Sequence, residues 1–367
     1  MHPELAISQA HIERATGLAL QAGLFPNPEL VARLESAPFT RRLAAQSEYV
    51  LGISQTIPLG QRLARARQAE LLERDRATHA VAAKRLEIRL RVQSAFAAAL
   101  YWQRVIQARE EDVRIATNGV ALAHARLRAG DAIAAEPAQA EIELQSARLE
   151  QDKATSSAAQ ALDSLGGALG DSTLQVISLD GTLEEGLTVP PLAALSARLE
   201  ASPGLAAAVA EIAVQRARLD VVQAQRVPDV NLDLFYRRLG DRDSAIDVGV
   251  RLPLQLFDQG QGRLQATRAD LDTAEARARA LRHEQRLQLQ EIHRKLARAV
   301  ATATVLRRDI LPRAEGVLQG AEARYRAGDI GLSEVLPVRR EWSRVRLDYL
   351  QAIHEVMQAW AALSPYL

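Results

Sequence analysis

The chain has 367 residues, of which 48% are hydrophobic and only 4% aromatic, so its apolar content is mostly Ala, Leu and Val. This composition favours closely packed helices. With 46 basic and 45 acidic side chains the net charge is +1, which disfavours nucleic-acid binding. These 367 residues contain no Cys, so we expect no zinc–thiolate site, thiol catalysis, disulfide or lipidated cysteine within them.

An internal duplication organises the sequence. Ala125–Asp131 (ARLRAGD) recurs as Ala323–Asp329 (ARYRAGD), and residues beyond the motif align at the same spacing. We therefore predict two structural repeats, residues 1–185 and 186–367. Compared with the second repeat, the first repeat lacks about one or two turns at the start of its first helix. Residues 1–20 also lack the basic start and apolar core of a secretory signal, so we expect a signal sequence and part of the first helix to precede this sequence.

Each repeat is predicted to contain two strands followed by a long helical hairpin. Apolar and polar residues alternate in three of the predicted strands, as for Val230, Leu232 and Leu234, whereas residues 30–37 alternate poorly. The helical stretches are rich in Ala, Leu, Arg, Glu and Gln. In chain order the predicted elements are strands at about 29–37 and 48–57, a hairpin at about 60–168, strands at about 229–238 and 244–253, and a hairpin at about 259–364.

The helices are very long. About 70 residues at about 1.5 Å each span on the order of 100 Å. Pro312 interrupts one of them and predicts a kink. The last helix carries apolar residues with a seven-residue period, which is typical of a coiled-coil seam: Val335, Val338, Trp342, Val345, Tyr349, Ala352, Val356 and Ala359.

Four strands of about ten residues with one apolar face have the length and pattern of transmembrane barrel strands. One such strand would equally suit a half-buried position in a soluble sheet. Single-chain membrane barrels have at least about eight strands, and open sheet edges are not tolerated in lipid. The barrel interpretation therefore requires several copies arranged around an axis.

On these features the chain resembles the TolC-like outer-membrane factors of tripartite efflux pumps. The most specific stretches are Ala323–Arg339 (ARYRAGDIGLSEVLPVR), Ile53–Gly60 (ISQTIPLG) and its counterpart Val250–Gly260. The resemblance implies a mainly α fold with a small β part, assembled as a homotrimer. In the trimer a twelve-stranded β-barrel in outer-membrane lipid would continue into an α-helical barrel that crosses the periplasm. It also implies a passive channel and not an enzyme.

The resemblance further implies roles for the two Gly-Asp turns. They would form the periplasmic tip, where an adaptor docks, through Arg128, Gly130, Asp131, Arg326, Gly328 and Asp329. Charge-assisted hydrogen bonds within a second group would constrict the aperture: Glu136, Arg324, Tyr325 and Glu334. As helix terminators the glycines need no further role, and the charged residues would equally suit a solvated helix face.

Ala22–Leu30 (AGLFPNPEL) followed by Ile53–Arg62 (ISQTIPLGQR) is most similar to channels that serve heavy-metal exporters of the cobalt-zinc-cadmium type. This implies heavy-metal cations as exported solute, with a periplasmic adaptor (membrane fusion) protein and an inner-membrane resistance-nodulation-division pump as partners. Two Met and seven scattered His form no metal-ligand cluster, and no cofactor is expected. The alternatives are a drug or type I secretion channel and a soluble coiled-coil scaffold. An enzyme ranks last, because no catalytic constellation is recognisable.

Overall fold

The computed structural model describes residues 2–35, 47–171, 179–181, 188–239 and 243–366. These residues form a mainly helical fold with one small antiparallel sheet, as predicted. The elements in chain order are α1 (Pro3–Ala22), β1 (Glu29–Glu35), β2 (Glu48–Ile57), α2 (Arg62–Ala129), α3 (Ala135–Leu169), α4 (Leu192–Arg198), α5 (Pro203–Ala224), β3 (Val230–Leu239), β4 (Asp243–Arg251), α6 (Gln261–Val305), a π-helical turn (Leu306–Ile310), α7 (Leu311–Ala327) and α8 (Leu332–Leu363), with 3₁₀ turns at Leu199–Ala201 and Ser364–Tyr366.

Two of the sequence predictions fall on residues outside the described ranges. They are the end of the first predicted strand, at 36–37, and the boundary between the predicted repeats, at 185–186. The last strand ends at Arg251, two residues before its predicted end. Pro253 has no backbone N–H and therefore cannot extend the hydrogen-bonded ladder.

The chain folds into two compact units, and each unit contains segments from both halves of the sequence. Unit 1 comprises Met1–Glu4, Lys84–Ser202 and His283–Leu367, and unit 2 comprises Leu5–Ala83 and Pro203–Arg282. The sheet belongs to unit 2 and both Gly-Asp turns belong to unit 1. The compact units differ from the sequence repeats because a helix as long as α2, with 68 residues, passes from one unit into the other.

The core of unit 1 is built largely from small and branched residues on the long helices. Along α8, the predicted seam residues Val335, Val345, Ala352, Val356 and Ala359 are buried. Alanine at such positions lets helices approach closely and has the highest helix propensity. None of the described helices combines the length and the apolar character needed to cross a membrane.

Pro312 lies at the start of α7, directly after the π-helical turn Leu306–Ile310. Proline has no N–H to donate to the carbonyl four residues earlier, and a π-helical turn is one way for a helix to absorb such a defect. Leu306, within the turn, is buried against Leu100 and Val345. The interruption predicted from the sequence is therefore packed into the core of unit 1.

His354 is a buried titratable side chain in that core. Its ring stacks on Tyr101 with centroids 4.8 Å apart, and its Nε2 lies 2.8 Å from Gln358 Nε2. Burial holds the pKa of His354 below its usual value of 6.5, because the charged imidazolium would lose its hydration. The neutral imidazole is therefore the form that suits the folded state.

Acidification is expected to weaken this core. Because the folded-state pKa of His354 is depressed, its contribution to stability is present above about pH 6.5 and is lost as the pH falls through the folded-state pKa. His354→Gln removes the titration and should flatten the acid side of a plot of thermal midpoint against pH between about 7 and 5. His283→Gln, at an exposed position, should follow the wild type. Equal acid sensitivity in His354→Gln and wild type would contradict this account.

Candidate functional site

The two predicted helix reversals have the same geometry. α2 is followed by Gly130 with φ +82° and α7 is followed by Gly328 with φ +86°, a conformation that favours glycine. The Asp131 N–H donates to the Arg126 carbonyl over 3.0 Å, and the Asp329 N–H donates to the Arg324 carbonyl over the same distance. These bonds form the helix-ending pattern in which the last carbonyls are paired and the chain turns sharply.

Arg126 connects the two reversals. Its guanidinium is buried and donates to the Tyr325 carbonyl (3.2 Å), the Ile330 carbonyl (3.3 Å) and the Asp131 carbonyl (3.0 Å). The same group lies over the Tyr325 ring, 4.6 Å from its centroid, at a distance where a cation is attracted by the aromatic face. One side chain thus ties the turn after α2 to the turn after α7.

Tyr325 is fully buried next to Arg126. Its hydroxyl donates to Glu136 Oε2 at 3.4 Å, which is long for such a bond. Burial, followed by the negative charge of Glu136, raises the pKa of Tyr325 above its usual value of 10, so the phenol is neutral. We call the buried group around it the tip cluster: Ala123, Arg126, Glu136, Ala140, Tyr325, Ile330, Leu332 and Val335.

Of the four predicted aperture residues, the structure brings together Tyr325 and Glu136. Arg324 is exposed, and so is Glu334, whose Oε1 accepts from the Gly331 N–H at 3.4 Å where α8 begins. Among the predicted tip residues, Arg326 is exposed and pairs with Glu322 over 3.1 Å. The remaining ones are exposed on or beside the two turns: Arg128, Gly130, Asp131, Gly328 and Asp329.

Arg126 was missed by the sequence prediction. The duplicated motif aligns it with Arg324, yet Arg126 is buried and Arg324 is exposed. Ala116 and Ala123 are buried seven residues apart and Arg126 follows three residues later on the same face. That burial is visible only in the structure, so the sequence alone contains no signal for Arg126. Within the described ranges, no group of three or more His, Asp or Glu side chains is placed to hold a metal ion.

The sheet has the order β1-β2-β3-β4, and each neighbouring pair is antiparallel. Because side chains alternate along a strand, the register places Leu30, Ile53, Leu234 and Val248 in one row across it. We call the exposed surface that they belong to the apolar face: Leu30, Leu34, Tyr49, Leu51, Ile53, Leu232, Leu234, Tyr236, Ile246, Val248 and Val250.

The opposite face of the sheet, the polar face, carries a ladder of hydrogen bonds and ion pairs. The buried Asp233 accepts from Ser54 Oγ at 2.6 Å and from Arg251 Nε at 2.9 Å. Arg237 Nε donates to Asp247 at 2.8 Å, and its Nη1 donates to Glu48 at 3.2 Å. A sheet with one apolar exposed face and one polar face has the pattern of a barrel wall between lipid and water, and so large an exposed apolar surface marks an interaction site.

Comparison with known proteins decides the family. The sequence profile described as "Outer membrane efflux protein" matches residues 2–171 and again residues 194–367. The chain belongs to the outer membrane efflux protein family. Membership confirms the resemblance seen in the sequence and sets aside the soluble coiled-coil scaffold, since this is a family of outer-membrane efflux channels.

Two known proteins resemble the chain in sequence. The cobalt-zinc-cadmium resistance protein CzcC of Cupriavidus metallidurans is 28% identical over 366 residues, which cover 99% of this chain and 86% of CzcC. Protein CyaE of Bordetella pertussis is 28% identical over 295 residues, which cover 77% of this chain and 61% of CyaE.

Solved channel structures share the fold of this outer membrane efflux protein. The outer-membrane channel OprN superposes with a TM-score of 0.81 at 18% identity, covering 100% of this chain and 86% of OprN. The transmembrane channel CusC superposes with a TM-score of 0.76 at 19% identity, covering 100% of this chain and 89% of CusC. The order of strands and long helices is therefore that of a TolC-like channel subunit.

Proposed function

We propose that the chain is the outer-membrane channel subunit of a tripartite efflux system and that three copies form one passive duct. The observation that carries this proposal is the four-stranded sheet with an exposed apolar face, in which the edge strands β1 and β4 pair with no further strand among the residues that the structure describes. In lipid every backbone N–H and C=O must be paired within the protein, so an open sheet cannot span a bilayer. Three copies would supply twelve strands and close the sheet, with the apolar face toward lipid and the polar face toward water.

The helices would then extend from the barrel into the periplasm, with the Gly-Asp turns at the entrance of the duct. Around these turns the exposed Arg128, Asp131, Arg326 and Asp329 offer charges of both signs to an adaptor protein. Beneath them the tip cluster holds the two turns of each copy together. Opening would separate the tips of neighbouring copies, and the protein would perform no catalytic step. The two structural repeats, residues 1–185 and 186–367, would derive from a tandem duplication.

Heavy-metal cations are the proposed solute. The support is a relative named for cobalt, zinc and cadmium resistance, which is similar over nearly the whole chain. A passive duct needs no metal-ligand cluster of its own, since a resistance-nodulation-division pump and an adaptor would select and deliver the solute.

A complementation assay tests this proposal. The full gene is expressed in a strain that keeps a cobalt-zinc-cadmium pump and its adaptor but lacks the outer-membrane component. We expect resistance to cobalt, zinc and cadmium to return, and the empty vector to give none. Restored export of a drug or a secreted protein without metal resistance would assign one of the alternative channels. Failure to restore any export, despite correct insertion, would contradict the efflux role.

A further inference from the structure

The apolar residues next to the sheet are unevenly exposed at one of its ends. β1 begins at the end of the sheet where β4 stops, as the pairing of Glu29 with Ser54 and of Asn231 with Arg251 shows. Before β1, Leu24 and Phe25 are 50% and 57% exposed; after β4, Leu254, Leu256 and Phe257 are 74%, 69% and 91% exposed. We call these two groups the β1 flank (Leu24, Phe25) and the β4 flank (Leu254, Leu256, Phe257).

The connections beside the two inner strands differ from these flanks. Leu59, which follows β2, is 38% exposed, and Val227, which precedes β3, is 42% exposed. These inner connections lie close together, since a Cβ added at Gly60 would come within 2.9 Å of Val227 Cβ. The most exposed apolar side chains at this end therefore lie beside the two unpaired edges of the sheet.

Hydrogen bonds fix the backbone that carries both flanks. Gln55 Nε2 donates to the Pro26 carbonyl at 2.9 Å, next to the β1 flank. In the β4 flank, the Leu256 N–H donates to the Leu254 carbonyl at 3.0 Å, and Gln261 Nε2 donates to the Phe257 carbonyl at 3.2 Å. The exposed side chains thus project from turns that are already formed, which lowers the entropy lost when a partner binds.

We propose that the β4 flank of one copy packs against the β1 flank of the next copy and forms an apolar clasp at every joint of the assembly. This inference rests on the proposed trimer. When β4 of one copy pairs with β1 of the next, the two strands lie about 4.7–4.9 Å apart, so the segments that prolong them at the same end become neighbours. A lipid surface would favour equally exposed apolar residues beside all four strands. Here the flanks beside the two outer strands are 50% to 91% exposed, whereas Leu59 and Val227 beside the inner strands are 38% and 42% exposed.

The clasp can be tested with a photoreactive side chain. Phe257, the most exposed of the five residues, is replaced by p-benzoyl-phenylalanine in the full chain, and the protein is irradiated in detergent and in phospholipid vesicles. We expect covalent dimers and trimers in denaturing gels, with the cross-linked peptide of the neighbouring copy mapping to residues 22–28. The same probe at Ile246, which is 72% exposed on the apolar face, should instead give lipid or detergent adducts.

The outcomes separate the clasp from the channel proposal. If light scattering finds a trimer but the probe at position 257 attaches only to lipid, detergent or its own chain, the clasp is wrong and the trimer stands. If the solubilised protein is a single chain and gives no intermolecular product, both the clasp and the proposed trimer are wrong.

Discussion

Replacing Val248 with arginine is expected to reduce strongly the fraction of the protein that assembles into folded channels in membranes. Val248 is 77% exposed, lies on the apolar face and pairs with Leu234 near the middle of both strands. An arginine facing lipid at the middle of a barrel costs about 2–4 kcal/mol, and each of the proposed three copies would carry one. The fraction of protein that resists urea in phospholipid vesicles should fall by at least about tenfold, since 1.4 kcal/mol corresponds to a factor of about ten.

Gly249→Arg is the matched control. Gly249 is the next residue along β4, so its side chain would lie on the polar face, where an added Cβ would sit 3.4 Å from Asp233 Cβ. A guanidinium there would face water and a carboxylate, and we expect assembly close to wild type. In a soluble sheet Val248→Arg would change stability by about 0.5 kcal/mol or less. Equal behaviour of the two variants would therefore contradict a lipid-facing apolar face.

Arg126→Ala is expected to loosen the hairpin tips. The substitution removes the donor for three carbonyls and the cation over the Tyr325 ring. The Gly328 N–H still donates to the Tyr325 carbonyl at 3.2 Å and Asp131 is exposed, so the Ile330 carbonyl is the buried acceptor that loses its donor. That loss costs about 1–3 kcal/mol and the cation over the ring adds about 0.5–2 kcal/mol, so we expect the free energy of local opening to fall by about 3 kcal/mol. Amide hydrogen exchange in residues 325–332 should then accelerate roughly a hundredfold. In planar bilayers the variant should also conduct more in its resting state, if the tips form the entrance.

Arg324→Ala controls for the loss of one positive charge near the turn. Arg324 occupies the equivalent place in the second copy of the motif and is exposed, so its removal should change the free energy of opening by about 0.5 kcal/mol or less. Unchanged exchange at residues 325–332 in Arg126→Ala, or equal acceleration in both variants, would show that the contacts of Arg126 do not hold the turns together.

The fold was predictable where local pattern and tertiary structure agree. Alternation at Ile246, Val248 and Val250 predicted β4 and its apolar face. The Gly-Asp pairs predicted both reversals, because only glycine adopts the required positive φ at low cost. Residues 30–37 alternate poorly in sequence, but Glu29–Glu35 forms β1 because its backbone pairs with β2 along its whole length.

The candidate site was predictable only in part, because its contacts join residues far apart in the chain. Tyr325 and Glu136 are among the predicted aperture residues, but the guanidinium that donates to the Tyr325 carbonyl belongs to Arg126, in the first occurrence of the motif in the same chain. The two motifs are nearly identical in sequence and differ in helical phase, so Arg126 is buried where Arg324 is exposed. Only the packing of α2 against α7 and α8 determines that phase. Pro312 predicted an interruption of the helix without its form, and the structure shows a π-helical turn at Leu306–Ile310 in which Leu306 is buried.

The closure of the sheet by identical copies is tested most directly by the protein mass of the detergent-solubilised particle, measured by size-exclusion chromatography with light scattering. Twelve strands from three copies predict a particle of three chains that needs detergent or lipid to stay in solution. A single chain of 40.1 kDa that is monodisperse in buffer without detergent would contradict the account, because the unpaired edges of β1 and β4 and the apolar face would then have neither a neighbouring copy nor lipid to cover them.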